Sequence, residues 1–455
     1  MIETDLEFLK TELEEELKFF PNFEELKVRH RFSQSENKVV NTMTVNGKTY
    51  AYGNLVKFEG KSEIEKKRLI KRYAKLSLYK AVSAFTGVKL PWGALTGVRP
   101  TKLAYSMIEE TGEFEEFFLD TMKVSEEKTQ LTKDVIENQK GIYEKNSKNT
   151  DLFIFIPFCP SRCKYCSFIT SAIDNSIELV DKYVDTLIYE INESASLIKN
   201  LRSIYIGGGT PVAISNKSLD KILCAVDKIN SGVEFTVEAG RPDVITKENL
   251  AILKAHGVSR VCVNPQTLSN ETLKRIGRNH TESDFYNAYN LAKPEFDVNV
   301  DLIAGLDGEN FESFKETLDK INVLSPDNIT VHSLCVKKGS YLAESEYVFN
   351  KDTEKMIDYA ENTLRNSGYG AYYVYRQKYA SGNLENVGFT KPKKACIYNI
   401  DSMEEISSCV ACGANGISKL VNFEDEKIAR YAAPKDVKTY LAKIDEILRE
   451  KAKLF

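Results

Sequence analysis

From about residue 151 the sequence alternates short, β-rich apolar runs with longer amphipathic stretches. Such alternation is typical of repeated βα units, because neighbouring parallel strands need a long return connection, usually a helix. A closed barrel of this kind has eight units in about 250 residues. The sequence offers six candidate strands, at 152–156, 203–206, 234–237, 260–263, 298–303 and 328–332. We therefore predict an α/β fold, an incomplete (β/α)6 TIM-like barrel that is open along one side.

The chain is long enough to form more than one domain. Its 455 residues exceed what a single hydrophobic core usually organises. We expect residues 1–148 to form an α+β N-terminal domain of unknown role and residues 149–370 to form the barrel. Residues 371–455, where the pattern becomes aromatic and polar, are expected to form a small C-terminal module that caps the substrate.

Local patterns predict a few elements outside the barrel. Amphipathic periodicity indicates helices near 3–19 and 61–85, and a final charged helix near 435–453. Alternating residues near 38–55 predict a β-hairpin that turns at Asn46–Gly47, a pair suited to a tight turn.

Composition excludes several classes of protein. The 62 Lys and Arg residues nearly balance the 66 Asp and Glu residues, so the net charge is −4. The chain therefore lacks the excess of basic residues that general nucleic-acid binding requires. The N-terminal sequence lacks the basic and apolar regions of a signal peptide, and no apolar run approaches a membrane span. We expect a cytoplasmic protein in which the nine cysteines are reduced.

Three of these cysteines carry the strongest chemical signal. Cys159, Cys163 and Cys166 follow the first barrel strand directly, in the spacing CxxxCxxC. Cys thiolates are the usual ligands of a [4Fe–4S] cluster, and three of them leave one of its four irons open to another ligand. A zinc loop or a chance group of buried thiols is the alternative. The spacing and the preceding strand favour a cluster that takes part in chemistry.

Further unusual residues follow the next strands. Gly208, Gly209 and Thr210 come after the second strand, where residues without Cβ let the backbone approach a ligand closely. The later strands carry polar residues at or after their ends, which are costly to bury unless they bind something. These residues are Glu238, Gln266, Arg278 and Asp301. Because such loops meet at one end of a parallel barrel, we expect one polar site beside the cysteines, with barrel-end hydrogen bonding as the alternative.

The cysteine motif at the end of a first barrel strand resembles that of the radical S-adenosylmethionine (SAM) superfamily. The resemblance implies a [4Fe–4S] cluster on Cys159, Cys163 and Cys166, with one or two SAM molecules. It also implies that the glycine segment meets the SAM amino group and that the strand-end polar residues help to hold SAM. In this chemistry an electron from the cluster cleaves SAM to a 5′-deoxyadenosyl radical, which takes a hydrogen atom from the substrate.

A narrower resemblance covers nearly the whole chain. The segments IPFC, CKYC, GGGTP and DLIAGL, with the pair Arg278 and His280, resemble oxygen-independent coproporphyrinogen III dehydrogenases. The segments TGVRPTKL (96–103) and YRQKYASGNLENVGF (375–389) resemble the HemZ-type branch. This implies an oxidoreductase of haem and porphyrin biosynthesis that decarboxylates coproporphyrinogen III to protoporphyrinogen IX. The implied partners are a tetrapyrrole substrate or haem, and an electron donor such as flavodoxin or ferredoxin.

Two positions depart from the dehydrogenase pattern. Phe153 replaces a tyrosine that lies near SAM, so this ring has no hydroxyl to donate or accept a hydrogen bond. Phe168 replaces a further cysteine and matches the haem chaperone relatives. The alternative is therefore a haem chaperone or haem-trafficking protein that keeps the cluster but lacks dehydrogenase activity. Radical chemistry on another substrate, such as tetrapyrrole ring opening or methyl transfer, is a third hypothesis.

The remaining candidates have plainer explanations. A substrate with four propionates needs cations, and the candidates are Arg241, Arg376 and Lys378, each of which also fits a solvated surface. His332 at the end of the sixth strand fits a satisfied barrel histidine better than a base or metal ligand. The other cysteines are expected to be packing residues, with Cys409 and Cys412 on an apolar helix and a second cluster as the alternative. They are Cys224, Cys262, Cys335, Cys396, Cys409 and Cys412.

Overall fold

The structure is a computed structural model, and it divides the chain into two compact units, Met1–Lys133 and Asp134–Phe455. It describes residues 2–95, 99–166, 171–173, 177–337, 339–344, 350–377, 384–424 and 427–455. Among the helices in these ranges, none combines the length and the hydrophobicity that crossing a lipid bilayer requires.

The first unit is an α+β unit, as the sequence predicts. Its four-stranded sheet has the order β1-β2-β3-β4, in which β1 is parallel to β2 and the other pairs are antiparallel. The strands are β1 (Ile2–Thr4), β2 (Val28–Ser35), β3 (Lys38–Val45) and β4 (Lys48–Leu55). The helices are α1 (Lys10–Leu17), α2 (Glu63–Thr86), α3 (Pro100–Thr111) and α4 (Glu126–Gln139), the last of which crosses the unit boundary.

Local sequence signals account for most of this unit. The predicted hairpin is confirmed as β3 and β4, joined at Asn46 and Gly47, which both have positive φ. The second predicted helix is confirmed as α2, which begins with a capping box between Ser62 and Glu65. The helix predicted near 3–19 is wrong in its first turns, because Ile2–Thr4 pairs with β2 as a strand. A partner distant in the sequence overrides the local helical period there.

The second unit is built on one sheet of eleven strands. Their order is β13-β14-β12-β11-β10-β9-β8-β5-β15-β16-β17. The six predicted barrel strands are confirmed as β5, β8, β9, β10, β11 and β12, and all neighbours among them are parallel. The strands are β5 (Asn149–Ile156), β6 (Phe158–Cys159), β7 (Ser171–Ala172), β8 (Asn200–Gly208), β9 (Glu234–Gly240), β10 (Arg260–Val263), β11 (Asp297–Ala304), β12 (Asn328–Ser333), β13 (Gly370–Arg376), β14 (Glu385–Thr390), β15 (Ser408–Cys412), β16 (Ile417–Asn422) and β17 (Lys427–Ala432).

Helices connect the parallel strands, as βα units require. Between the six parallel strands these are α5 (Ile177–Ser194), α6 (Asn216–Asp227), α7 (Lys247–Ala255), α8 (Asn270–Arg275), α9 (Glu282–Ala292) and α10 (Phe311–Leu324). The helices that follow β12 are α11 (Thr353–Asn366), α12 (Ile397–Glu404), α13 (Val437–Ala442) and α14 (Ile444–Leu454). The carboxyl ends of the six parallel strands lie at one edge of the sheet, where functional loops of such folds collect. The fold thus brings the unusual segments after the strands to a common face.

The residues after 371 extend the barrel sheet on both sides. Strand β14 pairs antiparallel with β12, and β15 pairs parallel with β5. The helix predicted for Cys409 and Cys412 is wrong, since both lie on β15. A short apolar run has the same composition whether it is a buried strand or a helix, so periodicity could not separate the two. The final charged helix is present as the pair α13 and α14.

The last helix is attached to α5 by a buried ion pair. The Lys451 ammonium donates to Glu190 Oε1 at 3.1 Å and to Ser194 Oγ at 2.7 Å, and the two charged side chains are 1% and 0% exposed. Glu190 Oε2 accepts from the Tyr440 hydroxyl at 2.6 Å and from the Gly413 amide at 2.7 Å. Removing one member of such a network leaves a buried charge without its partner.

A second buried carboxyl, that of Glu309, has one oxygen that the described residues leave without a hydrogen bond. Glu309 lies just before α10 and is 3% exposed. Its Oε1 accepts from the Thr267 hydroxyl at 2.5 Å, while Oε2 is buried and has no hydrogen-bond partner among the described residues. Burial raises the pKa of Glu309 to about 7, so this carboxyl is costly to ionise.

Candidate active site

A cavity of about 430 Å³ lies at the carboxyl ends of the barrel strands. All three motif cysteines line it, together with most of the strand-end residues predicted above. The predicted residues in its wall are Cys159, Cys163, Cys166, Gly208, Gly209, Thr210, Glu238, Gln266, Arg278 and Asp301. One cavity thus collects residues that are spread over about 140 positions of the sequence.

The cysteine loop is fixed to the barrel by backbone hydrogen bonds. The Cys166 amide donates to the Cys163 carbonyl at 3.1 Å, which folds the loop back on itself. The Lys164 amide donates to the Ile276 carbonyl at 2.9 Å, so the loop is attached to the segment after α8. Cys163 is buried, and Cys159 and Cys166 are half-buried. The loop therefore presents three partly shielded sulfurs to the cavity.

The environment of Cys159 suits a metal ligand. Burial raises the pKa of its thiol to about 11, and the nearby Cys166 and Cys163 add to the effect. Thr210 lies beside it, with Oγ1 3.4 Å from Sγ. A thiol with this pKa is protonated at neutral pH unless a cation replaces the proton, which is how iron and zinc bind such sites.

The glycine segment allows the second strand to lie against the cysteine loop. The Gly209 amide donates to the Ile156 carbonyl at 2.7 Å, and the Thr210 amide donates to the Phe158 carbonyl at 2.7 Å. A Cβ on Gly209 would lie 2.5 Å from the Phe158 carbonyl oxygen, and a Cβ on Gly208 would lie 2.9 Å from the Phe155 ring. Only residues without a side chain fit this close approach.

Glu238 is the central carboxylate of the cavity wall. Its Oε1 accepts from the Tyr205 hydroxyl at 2.6 Å, and its Oε2 accepts from the Gly208 amide at 3.2 Å. Burial raises the pKa of Glu238 to about 7, although both hydrogen bonds favour the ionised form. The group is therefore poised to gain or lose a proton near neutral pH.

Asp301 and Gln266 form a second polar group on the wall. Asp301 accepts from the side-chain amides of Asn264 at 2.8 Å and Asn299 at 2.7 Å. Although burial opposes its charge, His332, whose Nε2 lies 3.9 Å from Oδ2, helps to lower the pKa of Asp301. Gln266 has φ +69° and forms backbone hydrogen bonds with β11. A left-handed, buried, non-glycine residue at a strand end is characteristic of a functional site.

Arg278 connects the cysteine loop to the fourth strand. Its Nη1 donates to the Asn264 carbonyl at 2.6 Å, and its Nε and Nη2 donate to the Tyr165 hydroxyl at 3.2 and 3.0 Å. Tyr165 lies between Cys163 and Cys166 in the sequence. Arg278 therefore holds the loop in place while its guanidinium lines the cavity.

Phe153 belongs to an aromatic stack beside the cavity. Its ring is parallel to that of Tyr398, with centroids 5.8 Å apart, and lies 6.1 Å from that of Tyr205. The cavity wall, as far as the structure describes it, includes Tyr205 but not Phe153. Because the two residues are paired in register on β5 and β8, the hydroxyl missing at 153 is present one strand away.

The cationic candidates differ in their surroundings. Arg241 is 3% exposed, and Asp243 accepts from its Nε at 3.0 Å and from its Nη2 at 2.6 Å. Its Nη1 donates to Ser161 in the cysteine loop, so this side chain has a positioning task. Arg376 is buried at the end of β13. Lys378 and Phe168 lie outside the described residues.

The cysteines outside the loop have mixed environments. Cys262 and Cys396 are buried and line the cavity, and Cys412 is buried, as expected for packing residues. Cys335 and Cys409 are half-buried. The expectation for Cys224 is wrong, because its side chain is exposed on α6. Residues four apart share a helix face, and Cys224 lies on the same face as the exposed Asp220.

Three residues of the site escaped the sequence analysis. Tyr165, Tyr205 and Asn264 bind Arg278, Glu238 and Asp301 across large separations in the sequence. Tyrosine and asparagine are common residues, and no spacing marks these three. Their positions directly beside a motif residue or at a strand end were the available signals.

The donor set fits the cofactors implied by the sequence. Three thiols in one loop line a cavity whose wall also carries carboxylates, a guanidinium and a close glycine backbone. The thiols suit iron, and the polar wall suits the amino, carboxylate and ribose groups of a nucleotide-like ligand.

Comparisons with known proteins identify the family. The model of the radical SAM superfamily matches residues 153–321. The oxygen-independent coproporphyrinogen-III oxidase-like protein HemZ of Bacillus subtilis is 34% identical over 392 residues, which cover 82% of this chain and 78% of that protein. The haem chaperone HemW of Lactococcus lactis is 32% identical over 242 residues, 50% of this chain and 62% of that one.

A solved structure shows the same fold. Coproporphyrinogen III oxidase (HemN) from Escherichia coli, a radical SAM enzyme, has a TM-score of 0.54 at 20% identity, over 70% of this chain and 73% of that one. The predicted α/β fold with a radical SAM barrel is thereby confirmed, and so are the expected cofactors, a [4Fe–4S] cluster and SAM. This chain belongs to the radical SAM superfamily and, within it, to the family of the HemZ coproporphyrinogen-III oxidase-like protein.

Proposed function

We propose that this chain is a radical SAM oxidoreductase that decarboxylates coproporphyrinogen III to protoporphyrinogen IX without oxygen. The proposal rests on the relative named coproporphyrinogen-III oxidase-like, whose similarity extends over 82% of the chain. The expected electron donor, a flavodoxin or ferredoxin, is part of the same proposal. So is a separate electron acceptor, which takes up the one electron that remains after each reacting propionate has lost a hydrogen atom and carbon dioxide.

The observation that carries the proposal is the shared cavity. The motif cysteines line it together with a group of tyrosines from β8 and β13, namely Tyr205, Tyr372, Tyr373 and Tyr375. Aromatic rings suit the flat, partly apolar body of a tetrapyrrole. A substrate on this wall lies in the same enclosure as the cofactors, which radical transfer requires.

The residues of the chain have separable tasks in this scheme. When bound, the cluster and SAM supply a 5′-deoxyadenosyl radical that takes a hydrogen atom from each reacting propionate side chain. We assign the SAM contacts to Gly208, Gly209, Thr210, Glu238, Gln266, Arg278 and Asp301. Phe153, predicted to bind SAM, supports Tyr205 from behind. The buried tyrosine wall keeps water from the radical.

A haem chaperone is the second candidate. HemW of Lactococcus lactis, which is named a haem chaperone, is 32% identical over 50% of this chain. The same tyrosine wall suits haem, because haem has the same flat body. On this hypothesis the cavity holds a product-like ligand and no turnover follows.

Anaerobic reconstitution followed by turnover separates the two functions. The protein is supplied with SAM, a reductant, an electron acceptor and coproporphyrinogen III, and 5′-deoxyadenosine, carbon dioxide and protoporphyrinogen IX are measured. We expect the three products in a fixed ratio, and none from Cys163→Ser. The Cys409→Ser variant is the matched control, because this half-buried thiol lies on β15 and not in the cysteine loop. Tight haem binding without any decarboxylated product contradicts the proposal and supports the chaperone.

A further inference from the structure

A group of three different metal-binding side chains lies on the helical layer of the barrel. Asp220 and Cys224 are four residues apart on α6 and thus on the same face, and His256 follows the last residue of α7. Their ligand atoms lie within 4.8 Å of one another. Asp220 and Cys224 are exposed, and His256 is half-buried.

This group is separate from the active-site cavity. None of the three residues is among the described residues that line the cavity. The later part of α6 leads to the start of β9, and His256 leads to the start of β10. Both helix ends therefore lie at the amino ends of the strands, opposite the edge that carries the cysteine loop.

The ring of His256 is oriented from both sides. Its Nδ1 lies 2.6 Å from Asp227 Oδ2, and its Nε2 lies 3.0 Å from Asp220 Oδ1. The two carboxylates place negative charge on both sides of the ring, and either a proton or a metal cation on Nε2 would balance the charge of Asp220. Protein zinc sites use the same arrangement, with one ring nitrogen on the metal and the other on a carboxylate.

We propose that Asp220, Cys224 and His256 bind a zinc ion, with Asp227 orienting the histidine through Nδ1. A carboxylate oxygen, a thiolate sulfur and an imidazole nitrogen are all zinc ligands, and this mixed set suits a borderline-soft ion better than calcium or magnesium. Three protein ligands leave a fourth position for water. The ion links α6 to the end of α7 and stabilises the amino-terminal edge of the barrel.

The solvent exposure of the ligands fits a site that loads from solution. The His256 side chain is 10% exposed, whereas those of Asp220 and Asp227 are 54% and 45% exposed. The ring is thus largely enclosed, while the carboxylates on its two sides are accessible to an ion from solution. The site therefore needs no opening of the fold in order to bind metal.

Zinc binding to the full-length protein with its iron cluster in place tests the proposal. The protein is dialysed to equilibrium against Zn²⁺ alone, zinc and iron are counted, and the zinc K-edge absorption spectrum reports the ligands. We expect one zinc ion per chain with a single sulfur neighbour. The variants His256→Asn and Cys224→Ser should each lose zinc without losing iron, and Asp227→Asn should bind it about 10- to 100-fold more weakly.

Asp181→Asn is the matched control, because it removes one exposed carboxylate from the neighbouring helix α5. It should bind zinc like the unmodified chain. Thermal unfolding without zinc checks that all variants are folded, which the exposure of these side chains favours. The proposal is overturned if the protein binds no zinc, if zinc remains after His256→Asn, or if its sulfur neighbour remains after Cys224→Ser.

Discussion

Replacing Tyr205 by phenylalanine tests the electrostatic account of the active site. The substitution keeps the ring that stacks on Phe153 and Tyr398, and it removes the hydroxyl that donates to Glu238 at 2.6 Å. That hydrogen bond stabilises the ionised carboxylate, while burial raises its pKa to about 7. The variant should therefore raise the pKa of Glu238 further.

The size of the change follows from the energy of the lost bond. A hydrogen bond to a charged group contributes about 1.5–3 kcal/mol, and about 1.4 kcal/mol corresponds to one pKa unit. The pKa of Glu238 should thus rise by about 1–2 units, from about 7 to about 8–9. If Glu238 holds SAM as a carboxylate, SAM binding is weak below this pKa and strong above it.

The assay is the pH dependence of SAM affinity in the reconstituted protein, because the free protein's pKa governs that profile. We expect the midpoint to move upward by about 1–2 pH units in Tyr205→Phe. Tyr398→Phe is the control, since this ring lies in the same stack but its hydroxyl forms no hydrogen bond to Glu238 in the described structure. An unchanged midpoint in Tyr205→Phe, or an equal shift in both variants, refutes the reasoning.

Other substitutions test packing and charge elsewhere in the chain. Folding raises the pKa of Glu309 from an ordinary 4.5 to about 7. Ionisation of this carboxyl therefore lowers the free energy of unfolding as the pH rises from 4.5 to 7, and the loss reaches about 3 kcal/mol at pH 8. Glu309→Gln should therefore raise the melting temperature at pH 8 but hardly at pH 4. The control Glu312→Gln, at an exposed position, should leave the melting temperature unchanged at both pH values. An equal rise for Glu309→Gln at pH 8 and pH 4 would contradict this. Lys451→Met should cost about 3–5 kcal/mol in chemical denaturation by leaving a buried carboxylate unpaired. The exposed Lys453→Met should cost less than about 0.5 kcal/mol, and similar values for the two lysines would refute the account. Gly209→Ala should abolish iron retention after anaerobic reconstitution, because its Cβ would meet a backbone oxygen at 2.5 Å; full retention would show that the loop tolerates the shift.

The parallel core of the fold was predictable because its signals are local. Each of the six strands is a short apolar run between amphipathic stretches, and the structure places all six as predicted. The additional strands at the two sides of the sheet were not predictable in the same way. Ser408–Cys412 forms a strand because it pairs with β5, more than 250 residues earlier in the chain. Pairing between strands so far apart in the chain produces no periodic pattern of apolar residues from which it could be predicted.

The same division applies to the candidate site. The cysteine spacing and the glycine segment can be recognised from the sequence alone, since few other arrangements of residues hold a cluster or let a backbone approach a ligand closely. The partners that tune the site carry no such signal, since Tyr205 lies within a predicted strand and Tyr165 stands between two motif cysteines. The boundary between the two compact units, at Lys133, lies within α4, where the sequence pattern is uninterrupted and gives no sign of a boundary.

Electron paramagnetic resonance of the reduced, anaerobically reconstituted protein tests the central claim most directly. If Cys159, Cys163 and Cys166 hold a [4Fe–4S] cluster with an open iron, the protein should contain about four irons per chain. Its spectrum should change when SAM is added, and a serine at any of the three positions should abolish the signal. A cluster signal that is unaffected by SAM, or that survives all three substitutions, would contradict the account.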